Sequence, residues 1–260
     1  MKLKDQLGRP LNLESVPKRI ISLVPSQTEL LYDLGLESSI VGITKFCVHP
    51  KHLLKTKTIV GGTKQINLEK IKALQPDIIL CNKEENTKDI VDACNDICVV
   101  HVSEIETISH CIEMMQQYGE IFNRKEEAFE ISEKIQNNLK DFQNYIQEKP
   151  TLKVAYFIWK NPFMVAGKDT FINYLLQLNK LENVYEDLGR YPEIEMQQNK
   201  EVEVVFLSSE PYPFKEKHIE GLGAYYTNAK IQLVDGEMFS WYGSRLIKSF
   251  SYFKKLHVSL

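Results

Sequence analysis

Residues 17–35 read Pro-Lys-Arg-Ile-Ile-Ser-Leu-Val-Pro-Ser-Gln-Thr-Glu-Leu-Leu-Tyr-Asp-Leu-Gly, and this stretch sets the folding unit. Residues 20–24 are an apolar run of strand length, ended by Pro25. Ser26-Gln27-Thr28-Glu29 has capping-box spacing: the Ser26 hydroxyl accepts from the Glu29 amide, and the Glu29 carboxylate reaches back to the Ser26 amide. Leu30, Leu31 and Leu34 give the following helix an apolar face. Gly35 supplies a left-handed C-terminal cap, and residues 40–43 form the next strand.

The alternation continues through the first half. Asn67 caps a short helix carrying Leu68, Ile71 and Leu74, which Gln75-Pro76-Asp77 breaks. Residues 78–81 are an apolar strand. The polar turn Asn82-Lys83-Glu84-Glu85-Asn86 leads into a helix from about Thr87. Residues 99–102 make another strand, and a further helix ends near Phe122. Strands alternating with helices at this spacing predict an α/β lobe with a mostly parallel sheet.

Ala128, Ile131, Ile135, Leu139, Phe142 and Ile146 then step by three or four positions. They form one face of a helix about 24 residues and about 36 Å long. Such a helix either crosses from one lobe to another or packs along one of them. After Pro150 the alternation resumes. It gives a strand over 154–159, a loop over 160–168, and a helix capped by Asp169 that carries Ile172, Leu175, Leu176 and Leu178. Strands over 202–207 and 231–234 follow, then a terminal helix from about Gly243 with Leu246, Ile247, Phe250 and Phe253. The predicted fold class is α/β: two α/β lobes with mostly parallel sheets, bridged by one long α-helix. The N-terminal lobe covers residues 17–122, the helix 123–149 and the C-terminal lobe 150–260.

The 260 residues carry a net charge of −3, without the basic excess of a nucleic-acid binder. No stretch approaches the roughly 18 apolar residues of a membrane span. The first 20 residues hold neither the apolar run of an export signal nor a cysteine for lipid attachment. The sequence as written therefore predicts a cytoplasmic protein, or a periplasmic or lipid-anchored one if an export segment has been removed. Five cysteines, Cys47, Cys81, Cys94, Cys98 and Cys111, predict reduced and mostly buried thiols.

Three stretches carry a resemblance. These are residues 17–29, then Asn67-Leu68-Glu69-Lys70-Ile71 with Leu74-Gln75-Pro76-Asp77-Ile78-Ile79, and Trp159-Lys160-Asn161-Pro162-Phe163-Met164-Val165-Ala166-Gly167-Lys168-Asp169-Thr170. Together they resemble substrate-binding proteins of cobalamin and iron-chelate ABC importers, the cobalamin binders most of all, over about residues 17–257. The resemblance implies a class III periplasmic-binding-protein-like fold. It implies a corrinoid such as cobalamin, or another metal chelate such as a ferric siderophore, held in the cleft between the lobes. It implies no covalent cofactor, no catalysis and a monomeric receptor for an importer permease. That family docks through one acidic residue on each lobe. Glu69 falls on the first position; at the second, where Gln197 stands, Glu193 and Glu195 are the nearby acids. The alternative is a cytoplasmic carrier or sequestering protein that reuses the fold without a permease. An enzyme with a site between the lobes ranks third.

The residues agree on where a ligand would sit. In open parallel sheets, loops at the carboxyl ends of the strands make the binding crevice. Those loops carry Ser26, Phe46, Lys83, Trp159, Tyr191, Tyr212, Trp241 and Tyr242. Aromatic side chains there can cover a flat apolar ligand. His49 lies in Cys47-Val48-His49-Pro50-Lys51-His52, which matches a family loop where a histidine can meet ligand. The same run holds three transition-metal ligand types, but zinc asks for a fourth group and no second cluster of matching spacing exists. Cys94 and Cys98, four apart, would share a helix face. Gly61-Gly62-Thr63-Lys64 lacks phosphate-loop spacing and reads as a turn. Glu84 and Glu85 suit either paired acid–base chemistry or a solvated helix start.

Overall fold

The computed structural model describes residues 2–199 and 201–260. The chain forms two compact units. The first runs to Ile135 and takes in Tyr242–Arg245; the second comprises Gln136–Trp241 and Leu246–Leu260. The return of Tyr242–Arg245 to the first unit is absent from the sequence reading, which keeps residues 150–260 together.

In the first unit a hairpin of β1 (Lys2–Lys4) and β2 (Pro10–Asn12) precedes the βα units. These are β3 (Ile20–Ser22), α1 (Pro25–Asp33), β4 (Ile40–Ile43), α2 (Leu53–Thr56), β5 (Thr58–Ile59), α3 (Leu68–Ala73), β6 (Ile78–Asn82), α4 (Lys88–Asn95), β7 (Val99–Ser103) and α5 (Ile108–Ile121). The sheet is wholly parallel, in the order β5-β4-β3-β6-β7. The chain builds outward from β3 in one direction and then in the other, so the topological switch lies between β3 and β6. One face of the sheet packs Ile21, Leu23, Ile79 and Cys81 against Ile71, Ile90 and Cys94. Leu30, Leu31, Leu34 and Met114 are buried as well.

Local signals decide the helix ends, with one revision. Asn67 accepts from the Lys70 amide at 2.9 Å, and Thr87 accepts from the Ile90 amide. Gly35, at φ +74°, closes α1 as expected: its amide reaches Tyr32 O, and the Leu36 amide reaches Leu31 O, the paired bonds of a left-handed cap. The Ser26 capping box does not form. Pro25 already occupies the first turn, Val24 is the N-cap, and no side chain caps the helix.

The N-terminal hairpin covers the outer edge of β7. The buried Asp5 carboxylate accepts from the amides of Leu7, Arg9 and Val102 and from Arg9 Nε at 2.8 Å, while Arg9 also reaches Val100 O. Side chains thus satisfy an edge strand that would otherwise offer free backbone groups.

The stripe helix is α6 (Lys125–Ile146), 22 residues long; it begins in the first unit and ends in the second. Ala128, Ile131, Ile135, Phe142 and Ile146 are buried along it. The second unit continues with β8 (Leu152–Trp159), β9 (Met164–Val165), α7 (Phe171–Leu178), β10 (Leu181–Asn183), β11 (Val204–Ser208), α8 (Ile219–Gly223), β12 (Lys230–Val234), α9 (Gly236–Ser240) and α10 (Leu246–Val258). Its parallel order is β10-β8-β11-β12, with β9 antiparallel on β8. The switch here lies between β8 and β11. Phe157, Val205 and Leu207 pack with Phe214 and Tyr226 in one core cluster. Phe142, Phe239, Phe250 and Phe253 form an aromatic group of their own. Thr170, not Asp169, caps α7, accepting from the Asn173 amide; Asp169 sits at φ +58° just outside the helix. No helix among the described residues is long and apolar enough to cross a membrane.

Candidate functional site

Because the strands β3–β7 run parallel, as do β8, β10, β11 and β12, the carboxyl ends of each set share one edge. In the first unit the switch point between β3 and β6 is filled from within. Gln27 Nε2 donates to Ser103 Oγ at 2.7 Å and to Tyr242 Oη at 3.1 Å, and the Tyr118 hydroxyl donates to Gln27 Oε1 at 2.8 Å. All four side chains are buried. Burial, foremost, raises the proton affinity of the Tyr118 and Tyr242 hydroxyls. Gly243, at φ +85°, places its amide 3.0 Å from Cys111 Sγ, and Arg245 pairs with Glu29. Ser26 and Tyr242 are therefore not on open loops, as their positions predict. They are about 5 % and 6 % exposed and help plug the crevice. No local sequence signal marks this, because the partners lie some 215 residues apart.

Around that plug several side chains stay open. Phe46, after β4, is 49 % exposed, with Lys45 Nζ 5.0 Å from its ring centroid. Lys83, after β6, meets the Glu104 carboxylate, and Lys64 Nζ reaches Glu84 O. Gly61-Gly62-Thr63-Lys64 is a turn, closed by the Gly62 amide on Gln65 O. His49 is half-buried. Its cluster is dispersed. The Cys47 thiol turns inward to Thr28 and Thr44, and burial pushes its pKa up. His52 Nε2 lies 2.8 Å from Glu37 Oε1. Among the described residues no three His, Cys, Asp or Glu side chains gather as a metal site. Cys94 and Cys98 do not share a helix face either, since α4 stops at Asn95. Glu69 projects to solvent beside Lys72 at 3.2 Å.

In the second unit the switch point is open. Trp159, closing β8, is 38 % exposed. Tyr212, beyond β11, stands edge-on to it with ring centroids 5.6 Å apart, and the Tyr212 amide is held by Ile158 O. The rings continue through Phe214 and His218. Trp241 departs from the prediction: it is 6 % exposed and its indole donates to Glu210 Oε1 at 2.9 Å. That carboxylate also accepts from Ser240 at 2.7 Å, and burial raises its pKa. Tyr191 is half-buried, while Glu193 and Glu195 are exposed. The two acids border a cavity of about 380 Å³ with Tyr185, Leu188 and Gln197. Sequence reasoning missed His218 and Glu210; the aromatic run Tyr212-Pro213-Phe214 after a strand end was the available signal.

The periplasmic binding protein family matches residues 20–220. An ABC transporter substrate-binding lipoprotein of Bacillus subtilis (strain 168) is 28 % identical over 197 residues, 71 % of this chain and 61 % of that protein. A vitamin B12-binding protein of Pectobacterium atrosepticum is 24 % identical over 66 % of this chain and 64 % of its own length. The match thus spans less than two thirds of these relatives. Among solved structures, the periplasmic vitamin B12 binding protein of Vibrio cholerae superposes with a TM-score of 0.79 at 17 % identity, covering 94 % of this chain and 98 % of its own. Such a likeness shows the fold, that of class III periplasmic binding proteins.

Proposed function

The chain belongs to the periplasmic binding protein family, and on that premise we propose that it is the non-catalytic substrate-binding component of an ABC importer, taking a corrinoid or another metal chelate on the carboxyl-edge loops of its units. The observation that carries the reading is Trp159 against Tyr212, a half-open aromatic pair at the switch point of the second sheet. Parallel sheets offer their crevice at such a point, and an aromatic ledge suits the apolar face of a large planar ligand. Phe46 presents a second exposed ring on the corresponding edge of the first unit. His49, Lys83 and Tyr191 are the remaining candidates at these edges.

Glu69, with Glu193 or Glu195, is the proposed docking set for a permease. All three carboxylates are exposed, so keeping them charged carries little desolvation penalty, and each can meet an arginine in a bidentate pair. The lipoprotein among the relatives favours a location outside the cytoplasmic membrane. The test is a fluorescence titration with cobalamin, cobinamide, haem and ferric siderophores. Trp159 is the surface reporter and Trp241 the buried one. Saturable quenching without ligand turnover, reduced in Trp159→Phe, is expected; failure of every chelate to bind overturns the reading.

A further inference from the structure

We propose, resting on the reading above, that the ligand is an anionic aromatic iron chelate, and that the second unit meets it with ammonium groups and a hydrogen-bond donor rather than with a ligand to its metal. The aromatic ledge of Trp159 and Tyr212 ends at His218, whose ring lies 5.6 Å from that of Tyr212. Lys160 follows Trp159 directly, and Lys215 and Lys217 are exposed on the segment that carries His218, close enough for their charges to act on its ring. Lys83 in the first unit has its charge answered by Glu104; these three ammonium groups form no ion pair among the described residues. Of the acids nearby, Glu210 at the end of β11 is engaged with Trp241 and Ser240, Glu216 is interleaved with the lysines, and Glu193 bridges Met164, the strand partner of Trp159.

The tautomer of His218 sharpens the assignment. Its Nδ1 accepts from the Lys215 backbone amide at 2.9 Å. A neutral imidazole with Nδ1 as acceptor carries its proton on Nε2. Nε2 is then a donor, with no lone pair to offer a metal. Partial desolvation and the charges of Lys160, Lys217 and Lys215 lower the pKa of the ring. The ledge therefore offers π-faces to the rings of an aromatic chelate, and cations and one N–H to its phenolate or carboxylate oxygens. The first unit repeats the pairing of ring and cation at Phe46 and Lys45, 5.0 Å apart. A neutral chelate would gain no attraction from these charges.

Two sources share this chemistry: iron(III) wrapped by three catechols, whose metal is saturated, and a carboxylate-bearing iron porphyrin, whose axial positions are open. The experiment titrates the full chain by calorimetry with an iron(III) tris-catecholate, haem, cobalamin and a neutral ferric hydroxamate, at about 0.05 M and about 0.5 M salt, concentrations that span strong and weak screening. The anionic chelates are expected to bind more tightly than the neutral ones, with affinity falling about tenfold across that range. Lys160→Gln with Lys217→Gln is expected to weaken the anionic chelates by about tenfold and to leave cobalamin unchanged. If haem binds, its absorption spectrum is expected to be the same in His218→Ala. Tight, salt-independent binding of the neutral chelates, unaffected by the lysine changes, overturns this inference and leaves the importer reading standing. A haem spectrum that loses a nitrogen-ligated form in His218→Ala overturns the donor assignment. Binding of no chelate at all removes the importer reading, and this inference with it.

Discussion

Arg245 Nε lies 2.8 Å from Glu29 Oε2, with both side chains more than nine-tenths buried and 216 residues between them in sequence. The pair fastens the returning segment Tyr242–Arg245 to the first turns of α1. It stands beside the Gln27, Ser103, Tyr118 and Tyr242 network that closes the first switch point. A buried pair of this kind gives little net stability over an apolar filling, yet losing one partner is severe, because the other charge remains stranded. Arg245→Met is accordingly expected to destabilise the protein by about 3–5 kcal/mol. The double change Glu29→Met with Arg245→Met should recover most of that loss. Urea unfolding of the two variants beside wild type measures it; equal losses in the single and double variants would place the cost in packing.

Acid sensitivity should trace in part to His101. Its ring is fully buried on β7, with Nε2 2.9 Å from Gln117 Oε1, its edge toward Tyr118 at 5.1 Å, and Nδ1 without a hydrogen-bond partner among the described residues. Burial lowers its pKa below 6.5. The unfolded chain takes up a proton near pH 6.5 while the native ring resists it. Stability is therefore complete above that pH and declines as pH falls toward the depressed native value. His257, also lowered by burial, adds to the same limb. His101→Phe is expected to flatten the fall in stability between about pH 6.5 and 5 relative to wild type. Denaturant midpoints across that range give the comparison, and an unchanged slope would remove His101 as a cause.

The N-terminal hairpin should be held by one carboxylate. Asp5→Ala leaves the buried Val102 amide and the partly exposed Arg9 Nε without their acceptor, at a cost of about 1–3 kcal/mol, most of it from the amide. Amide exchange at Val102 is expected to accelerate in Asp5→Ala well beyond that at Ile79, in the interior of the sheet. Equal acceleration at both positions would indicate global loosening and not release of an edge.

The elements the sequence reveals are those whose signals are local. The apolar runs beginning at Ile20 and Ile78, the cap at Asn67, the helix start near Thr87, the left-handed Gly35 and the stripe from Ala128 to Ile146 each occupy one stretch of chain. The strands β9 and β10 are two and three residues long and are defined by their pairing with β8, so no periodicity announces them. Glu29 illustrates the converse failure. Three positions after Ser26 it has a capping-box address, but Pro25 moves the helix start back, and a distant arginine claims the carboxylate. The site divides along the same line. Trp159 and Trp241 look equivalent as loop aromatics; Glu210 takes the second indole into the interior and leaves the first half-open.

The central claim, that the carboxyl-edge rings receive a metal chelate, is tested most directly by calorimetric titration of the wild-type chain beside Trp159→Ala and Phe46→Ala. The account predicts saturable binding of at least one chelate among haem, cobalamin and ferric siderophores, weakened about tenfold or more by Trp159→Ala, as truncation of an aromatic anchor does, and weakened also by Phe46→Ala. Saturable binding that both substitutions leave unchanged, or no heat of binding from the folded wild-type protein with any of these chelates, would contradict it.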